Sequence, residues 1–149
     1  MRGCPCKIGR VKTRHQVRVV VNWANFSTVL GFVIAGLGRA SVHRVRDGLY
    51  VAEHCRLRLP DAGAFTVGNV VITHRRWADL RAGLPQILDH EAAHASQWAL
   101  LGPFFLPVYL LMMAWSMTRT GNRAARNYLE RWAGLHSGGY VDVPTRTRT

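Results

Sequence analysis

The stretch His90-Glu91-Ala92-Ala93-His94 decides how the second half of this 149-residue chain is interpreted. It lies in residues 85–101, a segment with a helical pattern that begins at Pro85 and ends before Gly102. Two residues at i and i+4 lie one turn apart on the same helix face, so both imidazoles can reach one metal ion. Glu91 can reach a water molecule on that metal and act as a general base. We therefore predict a metal site on a helix over residues 85–101.

The composition indicates one folded domain. Hydrophobic residues make up 48% of the chain and charged residues 19%, which excludes a chain that is disordered throughout. We expect a single domain over residues 17–144, preceded by a basic flexible tail over residues 1–16 and followed by a frayed tail over residues 145–149.

The net charge of +12 is concentrated near the start of the sequence, because residues 1–46 contain nine Lys or Arg residues and no acidic residue. A basic segment of this kind can bind nucleic acid or an anionic membrane surface, or can simply be solvated. No nucleic-acid-binding motif accompanies the charge, so we do not expect a nucleic-acid partner. An anionic membrane surface stays open as a partner of the basic N-terminal region.

The cysteines are too few for a disulfide framework. Cys4 and Cys6 are closer together than the spacing of zinc or redox motifs, and Cys55 is far from both. We expect reduced thiols and a cytoplasmic protein, with membrane association as an alternative location, and we place Cys55 in a strand.

The sequence of the first half of the domain predicts a short strand, a helix and a small antiparallel sheet. Residues 17–21 are typical of a strand, and Ser27 or Thr28 is suited to cap a helix through Leu37. In that helix, Gly31 and Gly36 would allow close packing against a neighbour.

A two-residue turn at Asp47-Gly48 predicts a hairpin between residues 42–46 and a long strand over residues 49–59. In the long strand apolar residues alternate with polar ones, and Glu53 is the exception on the apolar side. Residues 65–73 predict another strand, with a bulge at Gly68-Asn69.

Two more helices are expected after residues 85–101. One begins near Pro107 and ends before Thr120, and the other covers residues 123–133 and is closed by Gly134. Strands followed by helices indicate an α+β fold, with a helical half that carries the His90–His94 helix and a later Glu-bearing helix.

The pentapeptide HExxH at residues 90–94 resembles the signature of the zincin metallopeptidases. The longer motif HExxHxxGxxH does not fit, because Gln97 replaces its glycine and Leu100 its third histidine. The remaining arrangement is similar to that of the gluzincins, in which a Glu from a later helix completes the site. The resemblance implies a zincin-like fold, a Zn²⁺ cofactor, a peptide or protein substrate, and hydrolysis by a zinc-bound water that Glu91 deprotonates.

Glu130 is the one glutamate after the motif and is our candidate for the third ligand. The rival ligand is His136, and a surface acid paired with Arg126 or Arg131 is the ordinary alternative for Glu130. Our candidate metal ligands are therefore His90, His94 and Glu130.

Three features of the resemblance need support from elsewhere in the chain. Many gluzincins have an Asp four residues after the ligand Glu, where this chain has Gly134, so Asp89, Asp142 or a backbone carbonyl would orient the imidazoles. Tyr140 could donate a hydrogen bond to the oxyanion, with ordinary packing as its alternative role. An extended substrate could add to the sheet at residues 65–73.

Residues 95–118 form 24 uncharged positions, long enough to suggest a membrane span. Gly102-Pro103 and Pro107 interrupt the stretch, so we expect a buried helical hairpin, with an interfacial or re-entrant membrane segment as the alternative. For the whole chain, the alternative to a peptidase is a non-catalytic zinc-binding or structural module.

Overall fold

The computed structural model describes residues 8–57 and 63–145 and has an α+β fold within these ranges. The helices are α1 (Ile8–Ala24), α2 (Ser27–Leu37), α3 (Trp77–Gly83), α4 (Ile87–Leu101), α5 (Phe105–Thr120) and α6 (Tyr128–Ala133). The strands are β1 (Ser41–Arg44), β2 (Tyr50–Glu53), β3 (Phe65–Val67) and β4 (Val70–Ile72). The predicted α+β class is confirmed, although two helices precede the sheet.

The sheet is mixed, with the strand order β1-β2-β4-β3. Each outer pair is an antiparallel hairpin, whereas β2 and β4 run parallel at the centre, with Tyr50 opposite Val70. The predicted purely antiparallel sheet is therefore wrong at its centre. The β1–β2 hairpin around Asp47-Gly48 is confirmed, and a short 3₁₀ turn, Arg46–Gly48, joins its strands.

Gly68-Asn69 is the turn of a second hairpin and not a bulge in one strand. Buried Asn69 fixes this turn to the helices, because its Nδ2 donates to Thr28 Oγ1 (2.8 Å) and its Oδ1 accepts from Asn22 Nδ2 (3.0 Å). Thr28 was one of the predicted N-caps of α2, but it lies inside the helix and its hydroxyl binds this turn.

The long strand predicted over residues 49–59 ends at Glu53. His54 has a φ of 60°, in the left-handed region, which stops the extended backbone and breaks the alternation of faces. Leu49 and Val51 consequently lie in one core cluster and Cys55 in the other. The Cys55 thiol is free and buried as a small apolar group, but it follows the strand instead of lying in it, while Leu59 falls outside the described residues.

Helix α1 replaces two predicted features. Residues 8–16 were predicted as flexible tail and residues 17–21 as a strand, yet all of them are helical; residues 1–7 lie outside the described ranges. Arg18 and Asn22, one turn apart, explain the outcome. The Arg18 guanidinium donates to Asp47 O, and Asn22 Nδ2 donates to Ala95 O (2.8 Å). These tertiary contacts outweigh the strand preference of the valine-rich segment.

Helix α2 confirms the helix predicted through residue 37, with Phe26 as its N-cap. A Cβ at Gly31 would lie 2.5 Å from Val67 O, so the absence of a side chain lets α2 pack directly on the sheet. The predicted close packing is confirmed for Gly31. It is wrong for Gly36, which has no atom within 4 Å of a Cβ position.

In the helical half, α4 ends at Gly102 as predicted, and α5 begins at Phe105, two residues before the predicted start. Helix α6 is shorter than predicted, because Asn127 is its N-cap and its side chain accepts a hydrogen bond from Leu129 N (3.0 Å). Helix α3 was not predicted.

The chain reverses direction between α4 and α5. Residues 87–120 form a helical run of 34 residues that is long and apolar enough to cross a membrane by length and composition alone. However, the rings of Trp98 and Phe105 lie 4.7 Å apart and those of His94 and Tyr109 6.2 Å apart. In a straight helix, residues 94 and 109 would be separated by about 22 Å. The predicted helical hairpin is present, but α5 is not buried as expected.

Helix α4 runs along the edge strand β3 and packs against α1 and α6. It contributes Ile87 and Leu88 to the core cluster on one face of the sheet and Trp98 to the cluster on the other. Because both clusters hold α4, the side chains between these residues occupy fixed positions beside β3 and α6.

Candidate metal centre

His90 and His94 on α4 meet Glu130 on α6 in a buried cluster that could hold a metal ion. One ligand atom from each residue lies within 4.8 Å of the other two. The two Nε2 atoms are 3.1 Å apart, and they lie 3.3 Å and 3.5 Å from the nearest Glu130 carboxylate oxygens. The structure thus brings together the three predicted ligands.

The Nδ1 atoms of both histidines point away from the cluster, toward acceptors. His90 Nδ1 lies 3.0 Å from Gly134 O, and His94 Nδ1 lies 2.9 Å from Gln97 Oε1. Gln97 Nε2 donates to Leu129 O (2.8 Å), which leaves its Oε1 as the acceptor for His94. Because both partners are acceptors, each Nδ1 donates a hydrogen bond, and in a metal-bound form each Nε2 would be the atom that faces the ion.

This convergence fits a cation. The Nε2 atoms of two imidazoles face a carboxylate, and Glu130 Oε2 is buried without a hydrogen-bond partner. Buried polar atoms without partners are costly, and a bound metal ion would satisfy all three groups. Two imidazole nitrogens and one carboxylate oxygen are also an established donor set for metals in proteins.

The pKa values reflect the same coupling. Burial by itself raises the pKa of Glu130, but the interactions with the His90 and His94 imidazoles beside it outweigh burial and hold that pKa well below its usual range. Burial lowers the pKa of His94, yet the interaction with Glu130 and the charge of Glu91 outweigh it and raise that pKa. Glu130 is therefore an anion in this site, as a metal ligand must be.

Helices α5 and α6 position the Glu130 side chain. The first turn of α6, capped by Asn127, places Glu130 toward α4, and Tyr109 Oη on α5 donates to Glu130 Oε1 (2.6 Å). Glu130 is 2% exposed, so its interpretation as a surface acid is wrong. Its proposed surface partner Arg131 instead donates to Asp142 (3.2 Å).

The rival ligand His136 does not reach the cluster. It follows α6, is exposed, and is absent from the ligand atoms that converge on α4.

Of the groups predicted to orient the imidazoles, the backbone carbonyl is the one that does so. Gly134 O binds His90, whereas Asp89 pairs with Arg46 at the surface and Asp142 with Arg131. The orienting residue for His94 is Gln97, which the sequence prediction missed. Its place one turn after His94 on the same helix was the available signal.

Glu91 lies on α4 between the two histidines and faces β3. Its side chain is buried, and Thr66 Oγ1 donates to Glu91 Oε2 (2.6 Å). Thr66 O accepts from Trp98 Nε1 (2.7 Å), so α4 covers this part of the edge strand. The predicted substrate strand at residues 65–73 therefore has no free backbone carbonyl at Thr66.

Tyr140 lies beside the cluster, with its ring centroid 6.2 Å from that of His90. Burial raises the pKa of its phenol, and the charges of Glu130 and Glu91 raise it further. The segment before Tyr140 crosses the His90 ring so closely that a Cβ at Gly138 would overlap it.

Tyr109 and Thr66 are the other residues of the site that the sequence prediction missed. Tyr109 reaches Glu130 because α5 folds back on α4, and Thr66 reaches Glu91 because β3 is an edge strand. No local sequence signal marks either position, since both depend on contacts between distant segments.

Comparison with known proteins finds no similar protein. No model of a known protein family matches the chain, and neither the curated proteins nor the solved structures include a significant match. The resemblance to zincins therefore rests on the pentapeptide at residues 90–94 and on its meeting with Glu130.

Proposed function

We propose that this chain is a zinc-dependent metallopeptidase in which His90, His94 and Glu130 hold the metal. The observation that carries the proposal is that both Nε2 atoms and the Glu130 carboxylate converge in one buried cluster. Two histidines and a glutamate are a ligand set of catalytic zinc, and three protein ligands leave a fourth position for water.

Zinc in this site would supply a polarised water and a Lewis acid for the carbonyl of a peptide bond. Glu91 accepts a proton from the attacking water, whose oxygen bonds to the carbonyl carbon, and returns the proton to the nitrogen as the C–N bond breaks. Thr66 holds the Glu91 carboxylate through its hydroxyl.

Tyr140 is suited to stabilise the carbonyl oxygen during attack. Its raised pKa keeps the phenol protonated, and it lies beside His90 at the cluster. A protonated phenol at this place can donate a hydrogen bond to a developing oxyanion.

The substitution Glu91→Gln tests the proposal, because it removes the proton acceptor and leaves the ligands unchanged. Hydrolysis of a quenched fluorescent peptide library should fall at least about 100-fold, while the zinc content measured by mass spectrometry stays near that of the wild type. Glu53→Gln is the matched control, since the Glu53 carboxylate accepts from Trp77 N (2.7 Å) outside the site. The control should keep both zinc and activity. A folded wild type that binds no zinc would refute the proposal.

The second candidate function is a non-catalytic zinc-binding or structural module. The observation in its favour is burial, since His90, His94 and Glu130 are each at most 6% exposed. The same assay separates the two functions. Equal background hydrolysis by the wild type and Glu91→Gln, at equal zinc content, would favour the module.

A further inference from the structure

Four large apolar side chains are exposed together where two helix pairs bend. Phe26, Leu100 and Phe104 are each 72% exposed, and Trp23 is 42% exposed. Phe26 lies between α1 and α2, Leu100 is in the last turn of α4, and Phe104 lies between α4 and α5. We call this group, Trp23, Phe26, Leu100 and Phe104, the apolar tip.

Hydrogen bonds hold the two bends side by side. Asn22 Nδ2 donates to Ala95 O (2.8 Å), and one turn later Asn25 Nδ2 donates to Trp98 O (3.3 Å). The last turns of α1 and α4 are therefore adjacent and point to the same end of the molecule. The apolar tip is a single feature of the fold built from two distant parts of the sequence.

Helices α2 and α5 lead away from the apolar tip and expose further apolar side chains. Those on α2 are Val29, Leu30, Val33 and Leu37, and those on α5 are Leu106, Leu110, Leu111, Trp115 and Met117. Within α5 the buried residues are Phe105, Ser116 and Thr120. Contiguous exposed apolar surface usually marks an interaction site.

The sequence segments that form this surface carry charges of one sign. Residues 1–46 and 92–129, which include α1, α2, most of α4 and all of α5, contain no Asp or Glu. Exposed arginines follow both helices at the ends farthest from the apolar tip: Arg39 after α2, and Arg119 in the last turn of α5. The Arg119 guanidinium lies 4.3 Å from the centre of the Trp115 ring. Arginine and tryptophan together are typical of the membrane–water interface.

The helix lengths match one leaflet of a bilayer. Helix α2 has 11 residues and is about 16 Å long, close to half of the ~30 Å hydrocarbon core. The uncharged part of α5, residues 105–118, is about 21 Å long and also too short for a full span. Helices α1 and α2 are bent by 71° relative to each other, so they do not form a straight span either.

We propose that the apolar tip, with the outer faces of α2 and α5, inserts into one leaflet of an anionic lipid bilayer. The apolar side chains leave water, and the arginines at the far ends of the helices contact anionic headgroups. This interaction requires neither a bound metal nor hydrolysis. It is therefore independent of the proposed peptidase activity.

Flotation with lipid vesicles tests the proposal. The purified full chain is mixed with vesicles of phosphatidylcholine, or of phosphatidylcholine with phosphatidylglycerol, and centrifuged through a density gradient. We expect the wild type to float with the mixed vesicles. In the double variant Phe26→Asp with Phe104→Asp, the fraction of protein that floats should be at least about tenfold smaller. Sedimentation velocity without vesicles reports whether the chain associates with itself.

The matched control is the double variant Val42→Asp with Val141→Asp. It introduces the same charge at two exposed apolar residues, one on β1 and one after α6, both outside the apolar tip. The control should float like the wild type, and its thermal unfolding, like that of the tip variant, should show a folded protein. Three results would overturn the proposal: a wild type that does not float with anionic vesicles, equal flotation of the tip variant and the control, or self-association that the tip variant abolishes.

Discussion

The two ends of α4 place opposite kinds of side chain in unusual surroundings. At its first half, His90, Glu91 and His94 are polar and buried. At its last turn and just beyond it, Leu100 and Phe104 are apolar and exposed. Soluble proteins mostly show the reverse distribution at both kinds of position. The buried end could hold a cation, and the exposed end is suited to contact with an apolar phase.

The two ends differ in how tightly their side chains are held. Each buried group has a hydrogen-bond partner that fixes its orientation, such as Gly134 O for His90 and Thr66 Oγ1 for Glu91. At the exposed end hydrogen bonds hold the backbone, through Asn25 and Trp98 O, while the apolar side chains face outward. Substitutions at the first end should change metal affinity, and those at the second should change association while leaving the fold intact.

Glu130→Ala should have the largest effect on the buried end. It removes the one anionic ligand and leaves two imidazoles, so zinc affinity should fall more than about 100-fold. The stabilisation of the fold by added zinc should shrink with it, because binding to the native state stabilises by mass action. Competition with a chelating dye measures the affinity, and thermal unfolding measures the stabilisation.

His136→Ala is the control for Glu130→Ala, since His136 is exposed and lies outside the cluster. It should bind zinc like the wild type. If Glu130→Ala retained wild-type affinity and His136→Ala lost it, the metal centre described here would be wrong.

Tyr109→Phe should have an intermediate effect. The substitution keeps the ring and removes the hydroxyl that donates to Glu130 Oε1. Partners of metal ligands typically affect metal affinity by 10–100-fold, and we expect a loss of about tenfold. Tyr128→Phe, which removes an exposed hydroxyl from α6, is the control and should leave the affinity unchanged. Equal affinities for the two variants would show that Tyr109 does not position Glu130.

Phe104→Ser should have the smallest effect, and it tests the exposed end. Its side chain is 72% exposed, so the free energy of unfolding in the absence of lipid should change by no more than about 0.5 kcal/mol. The neighbouring Phe105 is buried and packs against Trp98, so Phe105→Ala should cost about 3–5 kcal/mol. Chemical denaturation compares the two. A large loss for Phe104→Ser would mean that this residue packs within the protein.

The parts of the site that sequence could predict are those with local signals. The spacing of His90 and His94 defines one face of α4, and Gly102-Pro103 ends that helix where predicted. Glu130 was predicted as the third ligand because no other glutamate follows the motif, and its burial beside α4 agrees with that choice.

The parts that sequence could not predict depend on contacts between distant segments. The valines in α1 favour a strand locally, but Arg18 and Asn22 bind groups near residues 47 and 95 and hold the segment as a helix. The parallel pairing of β2 with β4 joins two hairpins, and a pairing across that separation leaves no periodic signal. Tyr109 enters the site only because the chain reverses at Gly102.

The close passage of Gly138 over the His90 ring has a consequence for the rate of metal exchange. With the candidate ligands buried, a bound ion would enter or leave only when some covering segment moves, and the chain at Gly138 lies directly against His90. Ligand identity would then govern how tightly the ion is held, while the opening of this segment governs how quickly it is exchanged. A protein of this kind could retain its metal through long exposure to a chelator even if its equilibrium affinity were modest.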